Sequence, residues 1–207
     1  MTSSHAPSIP DDTYEELIEA TVAALYKKGY ADLGVRDIDA EFSKSRQLIN
    51  HYFDGKDELI TELLLYLLEF DERPLESPDS DPVSKLNEDI DNILLGSNMD
   101  DDDEFWRFMT IIYDIQSQAH HNSDHRELIN QISDEYIDHL SEIIRDGIDQ
   151  GVFTDVDPVR MARIIDDLIT GTHIRKINLG QDEAPAEMRE TIDDIVISRV
   201  LLNSSTE

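Results

Sequence analysis

The sequence predicts an all-α fold. Apolar residues recur three and four positions apart along most of the chain, and no stretch alternates as a half-buried strand must. Helix start and stop signals fall between these stripes. With 39% of its 207 residues hydrophobic, the chain is long enough to bury a substantial core. Nine helices account for the pattern.

Residues 1–12 read as a disordered tail. Thr13 with Glu16 has the spacing of a capping box, and Leu17, Ile18, Thr21, Val22 and Leu25 then share one face. Lys27 and Lys28 suit a helix C-terminus and Gly29 the residue after it. A second helix spans Val35 to Phe42, with Val35, Ile38 and Phe42 turned toward the first. Ser43-Lys44-Ser45 forms a turn, and Ser45 is placed to cap a third helix running to about His51. Ile49 and Phe53 face inward there, which leaves Arg46, Gln47, Asn50 and His51 outward. Asp54-Gly55 is a turn signal, with Asp54 as cap of a fourth helix carrying Leu59, Ile60, Leu63, Leu64, Leu67 and Leu68.

A linker from Arg73 to Pro82 follows, with Pro82 opening helix five and Val83, Leu86, Ile90, Ile93 and Leu94 as its stripe. The acidic run Asp100–Glu104 is an exposed loop that starts helix six, which runs from Phe105 to about Ala119. His120 to Asp124 breaks the chain before a long seventh helix to Gln150. Asp157-Pro158 is a cap followed by proline in the first turn; helix eight then carries Val159, Ala162, Ile165, Leu168, Ile169 and Thr172, and Gly180 closes it. The ninth helix, from about Pro185 to Leu202, turns Met188, Ile192, Ile195, Val196 and Val200 inward.

Charge and composition narrow the function classes. No cysteine is present, which excludes disulfides, thiol catalysis and thiolate zinc sites. No apolar run is long enough to span a bilayer, and the N-terminus lacks the basic and apolar regions of a signal peptide. A cytoplasmic protein without membrane contact is expected. The 17 basic against 47 acidic residues give a net charge of −30, which opposes contact with nucleic acid. The acid is unevenly spread: residues 1–56 hold six of the basic and ten of the acidic residues, and Gly34 to Phe53 hold three of each. A lysine-poor acidic coat of this kind is of the halophilic type, tolerable where multimolar salt shortens the Debye length to about 3 Å.

Two short helices joined by a tight turn make a helix-turn-helix, whose second helix enters the major groove. The same spacing also occurs in ordinary helix hairpins. Arg46, Gln47 and Asn50 are suited to base edges, Arg to guanine and Gln or Asn to adenine. Beyond spacing, Gly29-Tyr30, Gly34-Val35-Arg36-Asp37-Ile38, Ser45, Ile49, His51-Tyr52-Phe53 and Lys56-Asp57-x-Leu59 resemble, without gaps, the head of the tetracycline-repressor (TetR) family of transcriptional regulators. The run from Gly151 to Pro158 resembles a junction found before the last two helices of such proteins.

The resemblance implies a nine-helix TetR-like architecture, with residues 13–56 as the DNA-binding domain and 57–207 as a ligand-binding and dimerisation domain. It implies a homodimer through the last two helices, a double-stranded DNA partner, and an unidentified small-molecule effector. It places Ser45, Arg46, Gln47, Leu48, His51 and Tyr52 toward DNA, and Arg36 and Lys56 on phosphates. Solvated surface charge is the alternative for the last two, and burial against the first helix for Tyr52. The turn departs from the family, with Ser43-Lys44 in place of Gly-Val, Asn50 in place of a Tyr, and Gly34 in place of a Ser or Thr.

Trp106, Phe108, Tyr113, Tyr136 and His173 are candidates for an effector pocket, with plain core as the alternative. His120, His121 and His125 fit a polar loop better than a metal site. No metal, cofactor or catalytic constellation is expected. The other reading left open is a helical interaction module that has lost DNA binding.

Overall fold

A computed structural model describes residues 9–71, 81–99 and 101–198. Most of the linker between helices four and five, Asp100, and the positions of Val200 and Leu202 lie outside the described residues. The described elements are α1 (Asp11–Asp32), α2 (Val35–Glu41), α3 (Arg46–Tyr52), α4 (Lys56–Asp71), α5 (Pro82–Leu95), α6 (Asp102–Gln118), α7 (Ser123–Asp149), α8 (Pro158–Leu179) and α9 (Ala184–Ile192). A single turn of tighter helix, Ala119–His121, separates α6 from α7, and α9 widens into a π turn over Asp193–Ile197. The chain divides into two compact units, residues 1–74 with 110–132, and residues 75–109 with 133–207.

In the first unit, Leu17, Leu25, Ile38, Ile49, Phe53 and Leu63 belong to one buried cluster, joined by Ile111 and Ile115 of α6. Ile38 is fully buried and Ile49 nearly so, which fixes the rotation of the two short helices about their axes. Removing a side chain of this size from water is worth about 1.5–3 kcal/mol, and α2 and α3 have seven residues each, too short to be stable without it.

The expected capping box at Thr13 does not form. The helix begins two residues earlier, at Asp11, because the Pro10 carbonyl accepts from the N–H groups of Thr13 and Tyr14, and Ile9 packs against the core. Thr13 is buried inside the first turn instead. Gly29 breaks the helix as expected, at φ 71° and ψ 163°, a conformation that only glycine adopts readily, but one further turn follows to Asp32. Asp54 does not cap α4; its N–H instead donates to the Glu58 carboxylate at 2.6 Å.

The second unit has its own core of Leu86, Ile90, Leu94, Leu140, Ile144, Ile165 and Ile169, closed by Ile192 and Val196. Caps read from sequence are present. The Asp157 carboxylate accepts from Arg160 N–H at 3.1 Å and Gly180 ends α8 in the left-handed region; Asp81, not singled out in the sequence, caps α5 by accepting from Val83 and Ser84. Gly147 lies so close to the Phe153 ring that a methyl group there would sit 2.0 Å from a ring carbon. Three residues expected inside are exposed: Ile93 at 37%, Val159 at 38% and Ile195 at 52%. Ile93 and Val159 lie at the edges of their stripes. Ile195 is carried outward by the π turn, which buries its neighbours Val196 and Ile197 together.

Candidate nucleic-acid interface

The head presents α3 through a short turn. Gly34 precedes α2, and with no side chain to offer it is held through its backbone. Its N–H donates to the Asp37 carboxylate at 3.0 Å, and its carbonyl accepts from Asp37 N–H at 2.9 Å. Ser45 occupies the cap position of α3 without making a side-chain cap bond.

From that start, Arg46, Gln47, Asn50 and His51 are exposed, while Leu48 and Tyr52 are half-buried and pack against the core. Leu48 is therefore only partly available to a thymine methyl. The Tyr52 ring meets His51 edge-on at 4.8 Å. Arg36 is exposed on α2. Among the described residues, the side chains of Arg36, Arg46, Gln47 and Asn50 make no hydrogen bond or ion pair. Their donors and acceptors are open to a ligand.

The lysines of the same unit behave differently. Lys27 pairs with Glu41 at 2.6 Å and Lys28 with Asp37 at 3.6 Å. Lys56 donates to the Tyr30 carbonyl at 3.0 Å and lies over the Tyr30 ring at 4.6 Å, so one N–H and one face of its ammonium are used inside the head. Lys44, in the turn, donates to Thr13 Oγ1 at 2.6 Å and pairs with Glu16 at 3.3 Å and Asp12 at 3.7 Å. Glu16 also accepts from both the N–H and the hydroxyl of Ser43. The Ser43 hydroxyl, against a smaller effect of burial, and then the Ser43 N–H and Lys44 hold the Glu16 carboxyl below its usual range. These partners of Lys44 and Lys56 went unseen in the sequence because they lie 26 to 32 residues away.

Two of the candidate effector residues are in direct contact. Trp106 and His173 meet edge-on at 5.3 Å, with Phe105 6.1 Å from His173 and Lys176 4.6 Å above the Trp106 ring. His173 is fully buried, and its Nε2–H donates to the Leu94 carbonyl at 3.2 Å. Burial pushes its pKa down to about 4 against the opposing hydrogen bonds from the Leu94 and Ile93 backbone. Phe108 and Tyr113 on α6 and Tyr136 on α7 are half-buried. An open groove of about 470 Å³ lies on the first unit between α1 and α4, lined by Ile18, Val22, Tyr26 and Tyr66 with Glu15 and Glu19, none of them in the expected set.

His120 and His121 stack on each other, and His125 is buried with Nε2 on the Asp57 carbonyl at 2.9 Å. Among the described residues no group of three or more His, Cys, Asp or Glu is placed to hold a metal ion. None of the described helices is long and apolar enough to cross a membrane.

Comparison with known proteins agrees with this geometry. Residues 17–63 match the model of bacterial regulatory proteins of the tetR family, and residues 93–200 match that of the BetI-type transcriptional repressor C-terminal domain. No curated protein sequence matches the chain. Among solved structures, a TetR transcription regulator from Haloarcula marismortui is 30% identical, with 92% of this chain and 99% of that one covered and a TM-score of 0.82. A transcriptional regulator from Saccharomonospora viridis, solved in complex with choline, is 21% identical over 93% of this chain and 99% of its own, with a TM-score of 0.78. The regulator FadR from Bacillus subtilis, in complex with stearoyl-CoA, is 20% identical over 90% and 99%, with a TM-score of 0.70. The chain belongs to the TetR family and is a ligand-responsive, DNA-binding transcriptional regulator.

Proposed function

We propose that the protein is a repressor that binds a pseudo-palindromic operator as a homodimer. Residues 13–56 form the DNA-binding domain and 57–207 the effector-binding and dimerising domain, in a cytoplasmic protein adapted to high salt. The observation that carries this reading is the outward edge of α3. Arg46, Gln47 and Asn50 are exposed and, among the described residues, unengaged on a helix whose other side is locked by Ile49 and Phe53. Arg46 addresses guanine, and Gln47 and Asn50 address adenine. Ser45, His51, Tyr52 and the exposed part of Leu48 complete the reading surface. Arg36 and the remaining donors of Lys56 contact phosphates, the latter at the start of α4 where the helix dipole favours an anion.

Dimerisation is supported by exposed apolar residues on the second unit. Ile164 and Ile174, 40% and 41% exposed, flank the small Gly171 on α8, and Ile195 is exposed beyond α9. A glycine between two aliphatic residues lets a second helix approach closely. The two copies of α3 then meet major grooves about 34–36 Å apart. An unidentified small molecule bound in the body near Trp106 and His173 favours a state in which that spacing is lost, to the extent that it binds the two states unequally.

The test is selection of a duplex from a randomised pool at high salt, followed by titration with variants. Arg46→Ala and Gln47→Ala should each weaken binding by about 1–3 kcal/mol and relax preference at one base position. Unchanged affinity and preference in both variants would remove α3 as the reader.

A further inference from the structure

The turn between α2 and α3 carries a lysine at a position suited to a phosphate contact, yet that lysine is drawn back onto α1. Lys44 Nζ donates to Thr13 Oγ1 at 2.6 Å and meets the Glu16 carboxylate at 3.3 Å, with Asp12 a looser ion pair at 3.7 Å, so two of its three N–H groups are engaged and three groups of α1 surround it. The neighbouring Ser43 gives both its N–H and its hydroxyl to Glu16. The two turn residues that depart from the family pattern are thus the two that grip α1. The partition extends across the head. Lys27, Lys28 and Lys56 also have partners within it, whereas Arg36 and Arg46 have none among the described residues.

We infer that Glu16, with Asp12 and Thr13, sequesters Lys44 from DNA, so that the Ser43-Lys44 turn is an internal lock and operator binding draws its cationic contacts from Arg36, Arg46 and the remaining donors of Lys56. Glu16 is then a positioning residue for the DNA interface. Its physical effect is a shallow salt dependence. Each phosphate neutralised by a cation contributes about −0.9 to the slope of log K against log salt. Two phosphate contacts per head, from Arg36 and Lys56, give a dimer a slope of about −3.6. A chain with an acidic coat retains its operator in concentrated salt by relying little on counterion release and more on directed hydrogen bonds from α3.

This inference rests on α3 being the DNA reader, and the experiment separates the two. The full-length protein is titrated with the duplex it selects, across a tenfold range of KCl. The variants are Lys44→Met, the pair Asp12→Asn/Glu16→Gln, and the pair combined with Lys44→Met. Gln at position 16 keeps an acceptor for Ser43 while removing the charge. Lys44→Met alone should leave affinity and slope unchanged. The uncharged pair should steepen the slope by about 1.8 per dimer as Lys44 is released to phosphate, and adding Lys44→Met should restore the original slope. A flatter slope for Lys44→Met in the wild-type background overturns the inference, since Lys44 would already be touching DNA. Equal slopes with and without Lys44→Met in the uncharged pair overturn it as well. Should the wild-type protein select no duplex at any salt, the DNA-reading assignment itself fails. Lys44→Met, at a surface turn, decides the question even if the uncharged pair does not fold.

Discussion

His173 should make the second unit sensitive to acid. Its ring is fully buried on α8 between the Leu94 carbonyl and the edges of Phe105 and Trp106, and its pKa is pushed down to about 4 from 6.5. The native protein therefore keeps the ring neutral over a range in which the unfolded chain takes up a proton. Stability from this residue is fully present above about pH 6.5 and is lost as the pH falls toward 4. A gap of about 2.5 pK units corresponds to about 3 kcal/mol at most. His173→Gln supplies an N–H to Leu94 but cannot titrate. Urea unfolding at fixed high salt, followed through the fluorescence of Trp106, the single tryptophan of the chain, reads this unit directly. Between pH 7 and pH 4 the wild type should lose about 3 kcal/mol more than His173→Gln. Protonation of the acidic coat relieves self-repulsion in both proteins and cancels in the comparison. Parallel stability curves would refute the argument, because they would mean that the buried ring accepts its proton in place.

Gly147→Ala should destabilise the second unit by about 1–3 kcal/mol in thermal or urea unfolding, since the new methyl lands 2.0 Å from a Phe153 ring carbon; Phe153→Leu in the same background should recover part of the loss. Asp157→Ala removes the acceptor for Arg160 N–H and should cost about 1 kcal/mol by urea unfolding, with Asp157→Asn close to neutral.

What the sequence revealed depended on the range of the signal. Asp81-Pro82 and Asp157-Pro158 start helices because a carboxylate and a ring-fixed φ act within one turn, and both starts are where sequence places them. Ile38, Ile49 and Phe53 are buried as their spacing requires, so the outward set Arg46, Gln47, Asn50 and His51 followed directly. The Thr13–Glu16 spacing misled for a physical reason: Glu16 has a better use, satisfying Ser43 and Lys44 across the fold, and the Pro10 carbonyl serves the helix start without it. Tyr30 as the partner of Lys56 is likewise a tertiary contact with no local trace. Within the aromatic set Trp106 and His173 meet edge-on, a contact between α6 and α8 that residue type alone does not reveal.

The π turn at Asp193–Ile197 acts as a one-residue insertion. Insertions inside a helix ordinarily rotate everything downstream by about a quarter turn or more, and most are lost because a buried stripe is thrown into water. Here the bulge absorbs the extra residue locally, keeps Val196 and Ile197 on the core, and leaves Ile195 exposed. The end of α9 can thus change length without unpicking the packing before it. Homologues lacking one residue in this segment should restore ordinary helical phase and turn the residue at the Ile195 position inward. Removing a single residue there, with the rest of the chain unchanged, is a compact way to ask how much of the surface beyond α9 is set by phase alone.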